Sequence, residues 1–185
     1  MPTEERVILV DAEDAPIGTA GKLEAHERGA LHRAFSVFVL NDAGEILLQR
    51  RAAMKYHGGG LWSNSCCGHP RPGEATAAAA RRRLREEMSI DCPLDPVFSF
   101  TYRAEMPGGL TEHEIDHVFV GRASLDPEPD PAEVEAWRWA SPDQILAQLA
   151  EDPALYTPWF AEALRGLLAS ANAGPADRGL TNLDD

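Results

Sequence analysis

Cysteine is scarce in this chain: Cys66, Cys67 and Cys92 are the only three among 185 residues. An odd count with one adjacent pair makes a poor disulfide framework, so a reducing, cytoplasmic compartment is expected. No apolar run approaches the ~18 residues needed to cross a bilayer. The opening segment, Met1-Pro2-Thr3-Glu4-Glu5-Arg6, is acidic and lacks the basic and apolar stretches of a signal peptide. Basic side chains are also in the minority, 17 against 30 acidic ones, which leaves a net charge of −13. A surface of that sign argues against nucleic acid or an anionic membrane as a partner. No repeat and no linker divides the chain. Its 44% hydrophobic and 25% charged residues suit one globular domain. That domain is expected over residues 1–170, with 171–185 a tail lacking stable structure. Composition leaves the oligomeric state open.

What is present is unevenly placed. Residues 50–85 hold eight basic side chains (Arg50, Arg51, Lys55, Arg71, Arg81, Arg82, Arg83, Arg85) and a single acid, Glu74, whereas the rest of the chain holds nine basic and 29 acidic residues. One explanation is a helix face paired with acids from elsewhere. The sharper one is a pocket for a small, highly charged anion.

The patterning predicts a strand at Val7–Val10 and a turn at Pro16/Gly18. A second strand over Ala34–Leu40 is joined through the Asn41-Asp42-Ala43-Gly44 turn to a hairpin partner, Glu45–Gln49. Residues 52–73, rich in Gly and Pro, read as loop. Glu74–Met88, rich in Ala and Arg with no breaker, reads as a helix. Strands are expected at Val97–Ala104 and Ile115–Arg122, joined around Pro107-Gly108-Gly109, and another at Val134–Ala140. Ser141-Pro142 has the form of an N-cap followed by proline at the first helical position, opening a helix to about Ala150. A last helix is expected from Pro158 to Ala169. Several strands with a central helix and two late helices indicate an α/β or α+β sandwich.

Within residues 68–90, Gly68, Glu74, Arg82, Leu84, Glu86, Glu87 and Ile90 resemble the Nudix box, G-x5-E-x7-R-E-U-x-E-E-x-G-U. Two positions depart from it: Arg83 stands at the first Glu of the R-E pair and Ser89 at the late Gly. In Nudix hydrolases the helix glutamates hold the divalent metals that activate water against a diphosphate. An arginine at that place therefore argues against hydrolysis. On a helix Arg83 and Glu87 are four apart and share a face. Such a pair is either a solvated ion pair, worth ~0.3–0.5 kcal/mol, or a carboxylate for Mg²⁺ beside a guanidinium for phosphate.

The adjoining Trp62-Ser63-Asn64-Ser65-Cys66-Cys67-Gly68-His69-Pro70 resembles the W-T-N-S-x-C-G-H-P signature of the type I isopentenyl-diphosphate isomerase family. Leu31–Ser36, Arg50-Arg51-Ala52 with Lys55, Glu112-His113-Glu114 and Thr157-Pro158-Trp159 extend that resemblance from about Val7 to Trp159. It implies a Nudix-type α/β/α sandwich with a mixed sheet and a loop–helix–loop motif for metal and diphosphate. The implied reaction interconverts isopentenyl and dimethylallyl diphosphate, by adding one proton to the alkene and removing another from the opposite face. By resemblance Cys67 and Glu114 carry those protons, with Tyr102 hydrogen-bonded near the glutamate and Trp159 facing the developing cation. The order of acid and base stays open.

The resemblance also implies a centre for one divalent metal at His26, His32, His69, Glu112 and Glu114. On a strand Glu112 and Glu114 point the same way and His113 the other. Three imidazoles and two carboxylates accept Mn²⁺, Mg²⁺ or Zn²⁺. Lys22, Arg51, Lys55 and Arg83 are the implied diphosphate ligands, with Mg²⁺ held by Glu87. Arg82 is assigned to structure, and Arg50, Arg71, Arg81 and Arg85 to a solvated face. Cys66 and Cys92 are read as small buried hydrophobes, and His57, His113 and His117 as ordinary surface or hydrogen-bonded histidines. A Nudix hydrolase is the main alternative. A diphosphate-binding module without catalysis, which needs neither Cys67 nor Glu114, is the third.

Overall fold

The computed structural model of the protein describes residues 5–55 and 58–172. The chain opens with a hairpin of β1 (Arg6–Val10) and β2 (Pro16–Gly21). Its turn lies before Pro16 rather than at Pro16/Gly18. The Asp11 carboxylate accepts hydrogen bonds from the Glu13 and Ala15 amides and closes the turn there. A two-turn helix, α1 (Lys22–Arg28), follows and ends on Gly29 at φ 58°. Seven residues are too few to register as a helical period, so sequence patterning passes over it.

Next come β3 (His32–Leu40), β4 (Ile46–Arg51), β5 (Trp62–Ser63) and β6 (Cys66–Gly68), the last two lying inside the segment expected to be loop. The remaining elements are α2 (Thr76–Met88), β7 (Leu94–Met106), β8 (Leu110–Arg122), β9 (Val134–Ala140), α3 (Pro142–Glu151) and α4 (Phe160–Asn172). Ser141 accepts a hydrogen bond from the Gln144 amide, and the Gln144 side chain caps in return, the capping box that serine and Pro142 announce. Helix α4 runs three residues beyond the expected Ala169. Of the segment expected to lack structure, Ala171 and Asn172 are helical, and 173–185 lie outside the described residues.

The expected β3–β4 hairpin is corrected. These strands meet only at Leu40 and Ile46. The long partner of β3 is β8, parallel to it from His32–Glu114 through Leu40–Arg122, whereas β4 pairs with β9. The reason is that β3 is apolar on both faces, which suits a central strand covered on two sides. Phe35, Val37 and Val39 join Leu47, Ala80, Leu84 and Met88 in a core under α2. Phe38 joins Ile46, Leu48, Ile145, Phe160 and Leu164 in a second core under α3 and α4. The mixed sheet is thus a middle layer, and the expected α/β/α sandwich is what forms.

Gly166 sets the approach of α4 to β7. A Cβ built there falls 2.2 Å from the Phe98 ring. In an open helix Gly→Ala is worth about 1 kcal/mol of added stability. Here the ring is overpacked, which costs about 1–3 kcal/mol. Gly166→Ala is therefore expected to lower the denaturation midpoint, and a raised midpoint in urea unfolding would refute this packing. Among the described residues no helix is long and apolar enough to cross a membrane.

Candidate active site

Four strands lie abreast in the order β6, β3, β8, β7, and the register decides which side chains share a face. His32 on β3 pairs with Glu114 on β8, and Glu114 pairs with Tyr102 on β7. Ser36 pairs with Cys67 on β6. Paired residues project to the same side of a sheet, and alternate residues do so along each strand. Cys67, His69, Ser36, His32, Glu114, Asp116 and Tyr102 therefore face one layer, on the side of Phe38 and α4. Trp159, just before α4, covers this layer: its indole N–H donates to Asn64 Oδ1 at 3.2 Å and its ring lies 6.1 Å from that of Tyr102. The resulting cleft is lined by Lys22, Arg51, Lys55, Cys67, His69, Arg83, Glu112, Glu114, Asp116 and Trp159.

At one end of the cleft, donor atoms of His26, His32, His69 and Glu114 all lie within 4.8 Å of one another, and all four residues are buried. His69 Nε2 is 2.7 Å and His32 Nε2 3.2 Å from the same Glu114 oxygen, and the two nitrogens are 3.2 Å apart. Helix α1 brings His26 in, with its Nδ1 2.6 Å from the Lys22 carbonyl and its Nε2 3.0 Å from Glu112 Oε2. Three ring nitrogens and a carboxylate oxygen converging on one buried point fit a divalent ion with mixed nitrogen and oxygen ligands. The electrostatics show the crowding. Burial pushes His69 down to about 4. Burial would also lower His32, but the Glu114 carboxylate outweighs it and raises that imidazole. Burial would raise Glu114, yet its histidine partners hold it well below the usual carboxylate range. Glu112 moves up, through burial and then the charge of Glu114. Tyr102 donates to Glu114 Oε2 at 2.5 Å, and burial followed by that charge raises its phenol well above its ordinary value.

Cys67 stands two residues before His69 and across β3 from Glu114. Its Sγ is 3.2 Å from Arg51 Nη1, and Arg51, almost fully buried, lies with its guanidinium 5.7 Å from the Trp159 ring centre. Burial pushes the Cys67 thiol up to about 11 despite Arg51, so it is protonated near neutral pH. Cys66 points to the opposite face, into the core under α2, and Cys92 joins it there, as expected of them.

The basic island is largely neutralised by acids from outside it. Arg50 pairs with Glu135, and Arg81 and Arg85 with Asp91; outside the island, Lys22 pairs with Glu5 at 2.9 Å. Arg82 braces Glu74 to the helix at 2.7 and 2.9 Å. Arg83 meets three carboxylates: Nη1 donates to Glu86 Oε2 at 2.8 Å, and Nη2 to Glu87 Oε1 at 2.5 Å and Glu133 Oε1 at 3.0 Å. The ion-pair reading of Arg83 and Glu87 thus describes this state, and a phosphate must exchange for one of those partners. Ser89 keeps the left-handed conformation that a glycine would adopt freely, φ 55°, and its hydroxyl donates to the Glu128 carbonyl at 2.7 Å. His113 and His117 are hydrogen-bonded to the Gly29 carbonyl and to Asp14, away from the cluster, while His57 lies outside the described residues.

Sequence reasoning missed three buried or half-buried polar groups at this site. Asp116 continues the Glu112-x-Glu114 alternation, which was a legible signal. It accepts from Ser36 at 2.7 Å, and burial followed by Glu114 raises its carboxyl to about 8. Gln49, fully buried, donates to Glu87 Oε2 at 3.1 Å and to the Ser65 carbonyl. Glu133 bridges Arg83 and Lys55. No local pattern distinguishes it from the other acids of its Pro-rich loop.

The fold and this buried histidine–carboxylate centre define a Nudix-type protein. The sequence profile of the NUDIX domain matches residues 30–160. In overall shape the chain is similar to DR0079 from Deinococcus radiodurans, with a TM-score of 0.73 at 24% identity over 87% of this chain and 98% of that one. It is similar likewise to the MutT protein of Methanosarcina mazei, with a TM-score of 0.64 at 20% identity over 76% and 95%. Among proteins of known name, it is 55% identical to the isopentenyl-diphosphate Delta-isomerase of Burkholderia multivorans, over 85% of this chain and 89% of the relative. It is 52% identical to isopentenyl-diphosphate Delta-isomerase 2 of Aromatoleum aromaticum, over 87% and 85%. The chain belongs to the Nudix family, in its isopentenyl-diphosphate Delta-isomerase branch.

Proposed function

We propose that this protein interconverts isopentenyl and dimethylallyl diphosphate by moving protons on and off the alkene. The observation that carries the reading is the placement of Cys67 and Glu114 on strands that flank β3, on one face and in one cleft. Two strand spacings separate them laterally, about 10 Å, and four positions of β3 lengthwise, which leaves room for a five-carbon group between a proton donor and a proton acceptor. Trp159 and Tyr102 supply ring faces beside that gap, and a ring face stabilises a developing cation. Water is kept out by the near-complete burial of Tyr102, Glu114 and Trp159, which strengthens each electrostatic contact within.

Cys67, protonated near neutrality, holds a proton at Sγ. Glu114 accepts or returns one at its carboxylate, with Tyr102 fixing its orientation by the Oη–Oε2 hydrogen bond. Lys22, Arg51, Lys55 and Arg83 line the cleft and bind the diphosphate, Arg83 after leaving a carboxylate partner. His26, His32, His69, Glu112 and Glu114 hold one divalent ion, Mn²⁺, Mg²⁺ or Zn²⁺, and Glu87 a Mg²⁺. When bound, these ions bias Glu114 toward its ionised form and neutralise phosphate charge. Free cysteines suit a reducing cytoplasm. Arg83 stands where a Nudix hydrolase has a glutamate for metal, which removes one ligand and adds a cation and disfavours the alternative reading.

Proton NMR of the purified protein with isopentenyl diphosphate and Mg²⁺ in D₂O tests this reading. Deuterium-bearing dimethylallyl diphosphate without phosphate release is the expected result. Released phosphate would replace the isomerase by a hydrolase.

A further inference from the structure

Glu133 lies in the turn just before β9, outside every motif singled out in the sequence, yet it touches two of the cations around the cleft. Its Oε1 accepts from Arg83 Nη2 at 3.0 Å, and its Oε2 is paired with Lys55 Nζ. These cations come from separate elements, Arg83 from α2 and Lys55 from the turn after β4. The backbone of Glu133 is itself fixed, because its carbonyl accepts from the Ala52 amide at 2.9 Å and its amide donates to the Asp130 carbonyl at 3.0 Å. The Lys55 amide in turn donates to the Ala52 carbonyl at 3.1 Å, so the same short stretch anchors both ends of the Lys55–Glu133 pair.

We infer that Glu133 is a positioning residue for the diphosphate: its carboxylate ties Lys55 to Arg83 and fixes the spacing of two phosphate-binding cations. Both have long, flexible stems that lose much rotamer freedom when ordered. A rigid carboxylate that orders them beforehand removes that cost from binding. Lys55 has ammonium donors to spare, and Arg83 can exchange Glu86 or Glu87 for phosphate, so neither must release Glu133 to reach a phosphate oxygen. The carboxyl is pushed down to about 2: burial opposes this, but Lys55 and then Arg83 outweigh it. Glu133 is therefore anionic at any working pH. A plain electrostatic view makes the opposite prediction, since a carboxylate beside the site repels an anion and its removal should tighten binding. The two views differ in sign.

This inference rests on the proposed diphosphate site, and binding of inorganic diphosphate with Mg²⁺, measured by calorimetry, tests it apart from isomerisation. Glu133→Gln is expected to raise Kd by about tenfold, the scale typical of losing a supporting partner behind a binding group. It should raise KM to the same extent with kcat nearly unchanged. Glu135→Gln is the charge-matched control, since Glu135 pairs with Arg50 and not with Lys55 or Arg83. It should leave Kd unaltered. In a Lys55→Ala background the effect of Glu133→Gln should shrink to about twofold or less, the non-additivity expected of residues acting through one another. An unchanged or tighter Kd in Glu133→Gln, or an equal shift in Glu135→Gln, overturns the inference. If Glu133→Gln melts early, Glu133→Asp takes its place. Its stem, one methylene shorter, cannot bridge both cations and should weaken binding severalfold, and wild-type affinity would overturn the inference. Diphosphate binding that depends on Glu133 in a protein with no isomerase turnover would sink the functional reading alone.

Discussion

Cys67→Ala should lower kcat by about 10²–10⁴-fold, the span typical of losing a positioned proton donor or acceptor, while the protein stays folded. The thiol is half-buried and belongs to neither hydrophobic core, so its truncation leaves no large cavity. Its one described hydrogen-bonding partner is Arg51 Nη1, and that guanidinium remains against Trp159. The His26/His32/His69/Glu114 cluster that could hold a metal ion does not include Cys67, so metal affinity should be unchanged. Cys66→Ala is the matched control. Cys66 is fully buried under α2, and losing its sulfur should cost stability without removing a group from the cleft. Turnover by Cys67→Ala within a few-fold of the wild type, with the thermal midpoint preserved, would remove Cys67 from the proton-transfer pair.

Glu114→Gln should be at least as damaging to turnover, and it should also weaken divalent-metal binding. The carboxylate accepts from Tyr102 and stands within 3.2 Å of both His32 and His69. A glutamine has nearly the same shape, can still accept from Tyr102, and offers its amide hydrogens to the imidazoles. The metal-free fold should therefore survive, with a melting midpoint within a few degrees of the wild type. What is lost is a negative charge at a point where three imidazoles converge, and a hard divalent ion needs that charge. Titration with Mn²⁺, read by electron paramagnetic resonance, should show weakened binding in Glu114→Gln and wild-type binding in Cys67→Ala. Equal metal affinity in the two variants would show that the ion, if bound, sits elsewhere.

Legibility from sequence varied with how local each feature is. The α3 start was readable because its signal is two adjacent residues, an N-cap serine and a proline, Ser141-Pro142. Helix α2 was readable because no breaker interrupts its Ala- and Arg-rich run. By contrast α1 carries His26 into the cluster, yet two turns of helix leave no periodic signature. Glu112 and Glu114 came from the family resemblance, whereas Asp116, which continues their alternation along one strand, lies outside its motif. Glu133 could not be singled out, since its meaning comes from Lys55 and Arg83, 78 and 50 positions away in the chain. The sequence likewise left the basic island open between an acid-paired face and an anion pocket, and the fold shows that much of it is matched by acids distant in sequence.

The sequence by itself determined the family, the α/β/α class and the short list of chemically able residues. Those depend on residue types at fixed local spacings, such as Cys67-Gly68-His69 and Glu112-His113-Glu114. Tertiary structure alone decided that β3 runs parallel to β8 with His32 beside Glu114. It also placed Cys67 on the same face across β3, and brought the cations to acids distant in sequence. A parallel pairing joins residues some 80 positions apart through a crossover rather than a turn, so no short stretch of sequence encodes its register.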